Sequence, residues 1–141
     1  MSTTLYYASD IHGSDRLWRK FVNAAKFYDA QILVMGGDIT GKAVIPVVAR
    51  GSGYIAREIS GERLLSPDEL PDVERQIRDR GFYPARLSQH ELTQAQEHPE
   101  VASALFSEVM ERELEAWLDL AKQRLAGTAA RLYLMLGNDD M

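Results

Sequence analysis

Three short apolar runs punctuate the chain: Leu5-Tyr6-Tyr7-Ala8, Ile32-Leu33-Val34-Met35 and Leu132-Tyr133-Leu134-Met135-Leu136. None contains a polar break and each is too short for a helix, so each reads as a strand covered on both faces. Between the first two, Ser14 is placed to cap a helix, with Asp15 in its first turn near the positive end of the helix dipole. Leu17, Phe21, Ala24, Ala25 and Tyr28 recur at helical spacing and define its expected buried face. Strand, helix and strand within some thirty-five residues make a βαβ unit, whose strands must run parallel with a right-handed crossover.

The pattern changes at Ala43. Two β-rich stretches, Val44–Val48 and Tyr54–Ile59, flank Gly51-Ser52-Gly53 and predict a hairpin. Pro46 lacks an amide hydrogen, which predicts an edge strand or a strand that starts at the proline. Ser60-Gly61 reads as a second turn and Arg63–Leu65 as a short third strand. From Ser66 the chain turns polar and helical. Ser66-Pro67-Asp68-Glu69 and Ser88-Gln89-His90-Glu91 both have the form of capping boxes. The first opens a helix from Pro67 or Pro71 to Arg80, stopped by Gly81, and the second opens a helix that Pro99 ends or restarts. Val101, Leu105, Val109, Leu114, Trp117, Leu118, Ala121 and Leu125 then mark one face of a long amphipathic helix with Gly127 at its C-terminus. Its charged face (Glu108, Glu111, Arg112, Glu115, Lys122) reads as solvated surface with ion pairs along the helix.

These elements describe an α/β protein: a parallel central sheet built from Leu5–Ala8, Ile32–Met35 and Leu132–Leu136, with the Ser14–Tyr28 helix over one face. We read residues 1–141 as one domain, with residues 43–126 inserted as a hairpin plus helices. Composition agrees with a globular protein, at 45% hydrophobic and 26% charged residues. The net charge of −5 argues against non-specific binding to nucleic acid or to an anionic membrane. The absence of cysteine excludes disulfides, thiolate metal sites and a cysteine nucleophile, and fits a cytoplasmic protein. No signal peptide and no membrane-spanning run are apparent, so no membrane partner is expected.

Chemistry concentrates where the three apolar runs end. The loops are Asp10-Ile11-His12-Gly13, Gly36-Gly37-Asp38 and Gly137-Asn138-Asp139-Asp140. In a parallel sheet they share one edge, the edge at which open α/β sheets place their sites. Read alone, Asp10 is equally a helix cap and His12 a solvated loop residue. Read together, the carboxylates, imidazole and amide form a donor set suited to Mn²⁺, Fe²⁺ or Zn²⁺.

The order Asp-x-His, Gly-Asp, Gly-Asn resembles the calcineurin-like metallophosphoesterases, whose sites hold two divalent metal ions. The resemblance implies a partial version of that family's four-layer α/β/β/α sandwich. It also implies hydrolysis of a phosphomonoester or phosphodiester, with a small phosphorylated substrate. Asp10 and His12 would then bind the first metal, Asp38 would bridge both, and Asn138 would bind the second. The family usually reads Gly-Asn-His followed by an acidic residue. Here Asp139 holds the place of the histidine that protonates the leaving group, and Asp140 holds the acidic place. The family's later histidines, which complete both metal shells, do not follow, and His90 and His98 sit in polar helical sequence as surface residues. The expectation is therefore the N-terminal part of a longer phosphoesterase, with an incomplete sheet face that favours homo-oligomers. Two alternatives stand beside it. One is a binding or scaffold protein that keeps the fold without catalysis. The other is a nucleotide binder, because Gly36–Lys42 matches the G-x-x-x-x-G-K frame of a phosphate loop. That loop lacks the hydroxyl after Lys42, carries Asp38 in the cradle and leads into strand rather than helix.

Overall fold

A computed structural model describes residues 2–58 and 61–140. It is a mixed α/β structure with two sheets. The first holds β1 (Leu5–Ala8), β2 (Ile32–Met35) and β7 (Arg131–Leu134), all parallel, with β2 in the centre. The second holds β3 (Val44–Arg50), β4 (Gly53–Glu58), β5 (Gly61–Leu65) and β6 (Tyr83–Leu87) in the order β5-β4-β3-β6. Four helices complete the chain: α1 (Asp15–Phe27), α2 (Leu70–Asp79), α3 (Gln89–Glu97) and α4 (Pro99–Leu125).

The first sheet is covered on one face only. Register places Tyr6, Leu33 and Leu132 in one row, and these pack with Met35 against α1 and α4. The opposite face carries Leu5, Tyr7, Val34 and Tyr133, and Leu5, Tyr7 and Tyr133 are each at least half exposed. The expectation of strands buried on both sides is thus corrected for β1 and β7. The apolar run shows only that both faces are hydrophobic, and no second layer lies over this one among the described residues.

In α1, Ser14 is the N-cap and accepts the Leu17 amide, as its position before the helix suggested. The buried face differs from the expected one. Trp18, Phe21, Val22 and Ala25, spaced i, i+3, i+4 and i+7, point inward, while Leu17 and Tyr28 are exposed. The reason is tertiary. The Trp18 ring stacks on Trp117 of α4 with centroids 5.2 Å apart, and its Nε1 donates to Trp117 O at 3.1 Å. Trp117 Nε1 in turn donates to Asp15 Oδ1 at 2.9 Å. Two large rings and one carboxylate therefore fix the helix crossing, and Leu17 is rotated out.

The hairpin over β3 and β4 forms as expected, although Ile59 and Ser60, the end of its second strand and the start of the following turn, lie outside the described residues. Pro46 does not occupy an edge. β3 lies between β4 and β6, and Pro46 sits opposite Ala85 of β6. Tyr83 N donates to Ala43 O, so odd-numbered residues of β3 face β6 and even-numbered ones face β4. The β3–β4 ladder begins at Val47, so the missing amide hydrogen falls at its end and not within it. β6 was not foreseen in the sequence. Its Pro84 suits the edge position that this strand takes.

The Ser88 capping box is complete, with Glu91 returning to the Ser88 amide. Ser66 and Glu69 hydrogen-bond to each other in the turn before α2, whose N-cap is Glu69 rather than Ser66. Pro99 restarts the chain as the first residue of α4, and Gly127 (φ 73°) follows the Ala126 C-cap. Along α4, Val109 and Met110 pack on the second sheet and Trp117 and Ala121 on the first, whereas Val101 and Leu118 are partly exposed. Buried Glu113 of α4 accepts three bonds from Arg78 of α2, from Nε to its two oxygens at 2.9 and 3.1 Å and from Nη2 at 3.0 Å. Buried Glu74 of α2 is likewise paired with Arg86 of β6.

Replacing Trp117 by Ala removes both the stacked ring and the hydrogen bond to Asp15. The expected loss is about 3–5 kcal/mol of unfolding free energy. Urea denaturation followed by far-UV circular dichroism measures it, and a loss below about 1 kcal/mol would mean that the ring stack does not hold α1 to α4.

Candidate metal centre

The β1–β2 pairing continues past the strands and brings their loops together. Gly36 N donates to Ala8 O, Asp10 N to Gly37 O, His12 N to Asp38 O and Gly13 N to Ile39 O, at 2.7–3.0 Å. This second ladder sets Asp10, His12 and Asp38 side by side. One ligand-capable atom from each lies within 4.8 Å of the others, and this is the His/Asp/Glu cluster of metal-binding form among the described residues. His12 Nε2 is 3.9 Å from Asp10 Oδ1.

All three residues also adopt a backbone conformation that side chains disfavour: φ is 57° at Asp10, 44° at His12 and 51° at Asp38. Among the described residues Asp29 is the other non-glycine residue with such a φ. Left-handed backbone at an imidazole-bearing residue costs energy and persists only where surrounding contacts impose it. Here the loop-to-loop ladder imposes it, and the result is that the three side chains converge.

The third loop closes on the second. Asp139 N donates to Asp38 Oδ1 at 3.0 Å. Asp140 is partly buried, and its Oδ1 accepts from Ile39 N, Thr40 N and Thr40 Oγ1 at 2.8–2.9 Å, while Oδ2 accepts from Gly137 N at 2.8 Å. Burial raises the Asp140 carboxyl pKa, but these four bonds outweigh it and hold the group below its usual value. The approach needs glycine at two places. A Cβ on Gly37 (φ 108°) would lie 2.8 Å from Gly137 Cα, and one on Gly137 would strike the Asp38 carboxylate.

The sequence-derived residues therefore divide by role. Asp10, His12 and Asp38 form the cluster. Asn138 and Asp139 are exposed beside Asp38 and bound to each other, Nδ2 to Oδ1 at 3.0 Å. Asp140 ties the loops together from behind. His90 and His98 are exposed on and after α3.

The donor set fits a borderline divalent cation. His12 Nδ1 is buried with no hydrogen-bond partner. A buried imidazole nitrogen without a partner is costly, and the other ring nitrogen, Nε2, is the one 3.9 Å from Asp10 Oδ1. The Gly36–Lys42 segment does not fit a phosphate cradle. Its Ile39 and Thr40 amides are spent on Asp140, its Gly41 amide on Tyr83, and β3 follows it.

Sequence reasoning missed the support beneath this centre. Tyr83 Oη of β6 accepts Gly41 N at 2.6 Å, and Ser14 Oγ donates to Asp79 O at the end of α2 at 2.9 Å. The partners are 42 and 65 residues apart, so no local pattern points to them. The alternation in Tyr83–Leu87 was the available signal, and Pro84 obscured it. No family model, characterised protein or solved structure matches the chain.

Tyr83 offers a check on this support. Burial is the main cause that raises its pKa above the ordinary value. A raised folded-state pKa means that the stabilisation is complete below the unfolded value of about 10 and is lost as pH rises through the folded value. Tyr83→Phe is expected to cost about 1–3 kcal/mol at pH 7, by leaving the buried Gly41 amide unpaired. The difference from wild type should shrink above about pH 10. Denaturation curves at pH 7, 9 and 11 measure this, and a constant difference across that range would exclude the buried phenol as its source.

Proposed function

We propose that the protein is a metal-dependent phosphoesterase built on the calcineurin-like plan, acting on a small phosphomonoester or phosphodiester. One observation carries the reading: Asp10, His12 and Asp38 converge within 4.8 Å at the C-terminal edge of a parallel sheet, in left-handed backbone. Asp10, His12 and Asp38 would hold one divalent ion (Mn²⁺, Fe²⁺ or Zn²⁺), and Asp38 with Asn138 a second. Bound together, such ions supply Lewis acidity toward phosphoryl oxygens and acidify a water. The chain's own part is positional. The Asp139 amide holds Asp38 Oδ1, which orients that carboxylate, and Asp140 keeps the Asn138 loop against it. Asp139 stands where a leaving-group acid would be needed. A cytoplasmic location belongs to the same proposal. No helix among the described residues is long and apolar enough to cross a membrane.

A second reading, a non-catalytic binding protein, is favoured by Asp139 itself. Its carboxylate is exposed and one oxygen already accepts the Asn138 amide, so Asp139 is engaged with its own loop and not held toward the Asp10–His12–Asp38 cluster. The uncovered face of the first sheet is, in this proposal, a surface for self-association.

Calorimetry with Mn²⁺ is expected to give one weak site rather than two tight ones, because the second ion has only Asp38 and Asn138. Slow hydrolysis of bis-p-nitrophenyl phosphate should accompany it. Asp38→Asn should lower both by at least about tenfold and Asp139→Asn by less. Neither binding nor turnover would favour the non-catalytic reading, and the reverse order of the two variants would overturn the assigned roles. For the sheet face, sedimentation equilibrium should show dimers at about 100 µM that Tyr133→Lys disperses. A monomeric wild type at that concentration would remove self-association.

A further inference from the structure

On the other side of α1 lies a groove whose charge opposes that of the whole chain. It encloses about 560 Å³ between α1 and α2. Arg16, Arg19, Lys20, Arg75 and Arg78 line it, against the carboxylates of Asp15 and Asp79. Five cations to two anions stand here in a protein whose net charge is −5.

The pairing within the groove sorts these groups. Asp15 is spent on Arg19, Nε to Oδ2 at 2.6 Å, and on Trp117. Arg78 is spent on Glu113. Among the described residues Arg75 meets only Asp72, through an exposed pair on its own helix that contributes little. Arg16 and Lys20 have no hydrogen-bond or ion-pair partner among the described residues. Asn23 follows them at helical spacing, and its Oδ1 is taken by Arg124, so its amide Nδ2 remains as a donor. Residues 16, 20 and 23 make one stripe along α1, and Arg75 faces it from α2.

We infer that this groove is a binding site for a small ligand carrying two or more phosphate groups, separate from the metal centre and independent of the phosphoesterase reading. The cations are recognition groups for phosphate oxygens: guanidinium forks at Arg16 and Arg75, and a point charge at Lys20. The volume lies in the range of small-molecule sites. A nucleic acid fits less well. The groove presents no aromatic side chain for base stacking. The sequence pI near 5.2 leaves an acidic surface beyond it for a polymer to cross.

The test is calorimetric titration of the metal-stripped 141-residue chain with sodium tripolyphosphate, in metal-free buffer so that the Asp10–His12–Asp38 centre takes no part. Saturable one-to-one binding is expected, with a Kd below about 100 µM at low salt and weaker at about 0.3 M salt. Arg16→Gln with Lys20→Gln should weaken it at least about tenfold, while Arg16→Lys with Lys20→Arg should retain most of it. Lys122→Gln, which removes an exposed cation on α4 paired with Asp119, should leave it unchanged. Circular dichroism confirms that each variant is folded. Absence of saturation by the folded wild type at about 1 mM, or equal weakening by Lys122→Gln, would overturn the site. A single-stranded oligonucleotide that binds more than about tenfold tighter than tripolyphosphate would overturn the small-ligand assignment.

Discussion

The Asp140 carboxylate accepts four hydrogen bonds, three from Ile39 and Thr40, about one hundred residues earlier, and one from Gly137 in its own loop. Backbone amides in a tight loop cannot all find partners within that loop, and an ionised carboxylate satisfies several at once. The place of the third loop at the sheet edge depends on this. With the second and third loops joined, the Asp139 amide reaches Asp38, the glycine pair 37 and 137 is held in contact, and Asp38 stays beside His12. The strained backbone at Asp10, His12 and Asp38 belongs to the ladder between the first and second loops, which Asp140 joins to the third.

Below the edge, the inserted segment works as support. Its β6 supplies Tyr83 to the Gly41 amide, and the end of α2 receives Ser14. The buried carboxylates Glu74 and Glu113 are matched by Arg86 and Arg78, so the interfaces of α2 with the second sheet and with α4 carry paired rather than orphan charges. A stretch that divides the metal-type motifs in sequence thus underpins them in space.

Much of this was legible in the residues. The three apolar runs supplied the parallel sheet, the third as Arg131–Leu134 and not out to Leu136, and the glycine loops at their ends met at one edge, because a βαβ connection leaves little choice of direction. The Ser88 box and Ser14 cap were legible because capping is local chemistry. What was not legible was tertiary. Leu17 and Trp18 are adjacent apolar residues, and only the position of Trp117 decides which of them turns inward. Pro46 occupies an inner strand because the ladder on its even-numbered side starts one residue later, a matter of register that no single residue records. β6 was hidden by Pro84, and the bare face of β1 and β7 cannot be told from a covered one by hydrophobicity alone.

α4 runs 27 residues, about 40 Å, and is shared between two hydrophobic clusters that otherwise lie on different sheets. The contacts of α4 with the two clusters are continuous along the helix: Met110 stands about two turns from Trp117 and Leu114 packs against both clusters, so loss of one set withdraws support from the other. Opening of the second sheet would therefore release Trp117 as well, and with it the cover of the first. The folding unit is consequently larger than either sheet: amide hydrogens of β2 and of β3 should exchange with solvent through the same global opening, at a single free energy, instead of as two independent foldons.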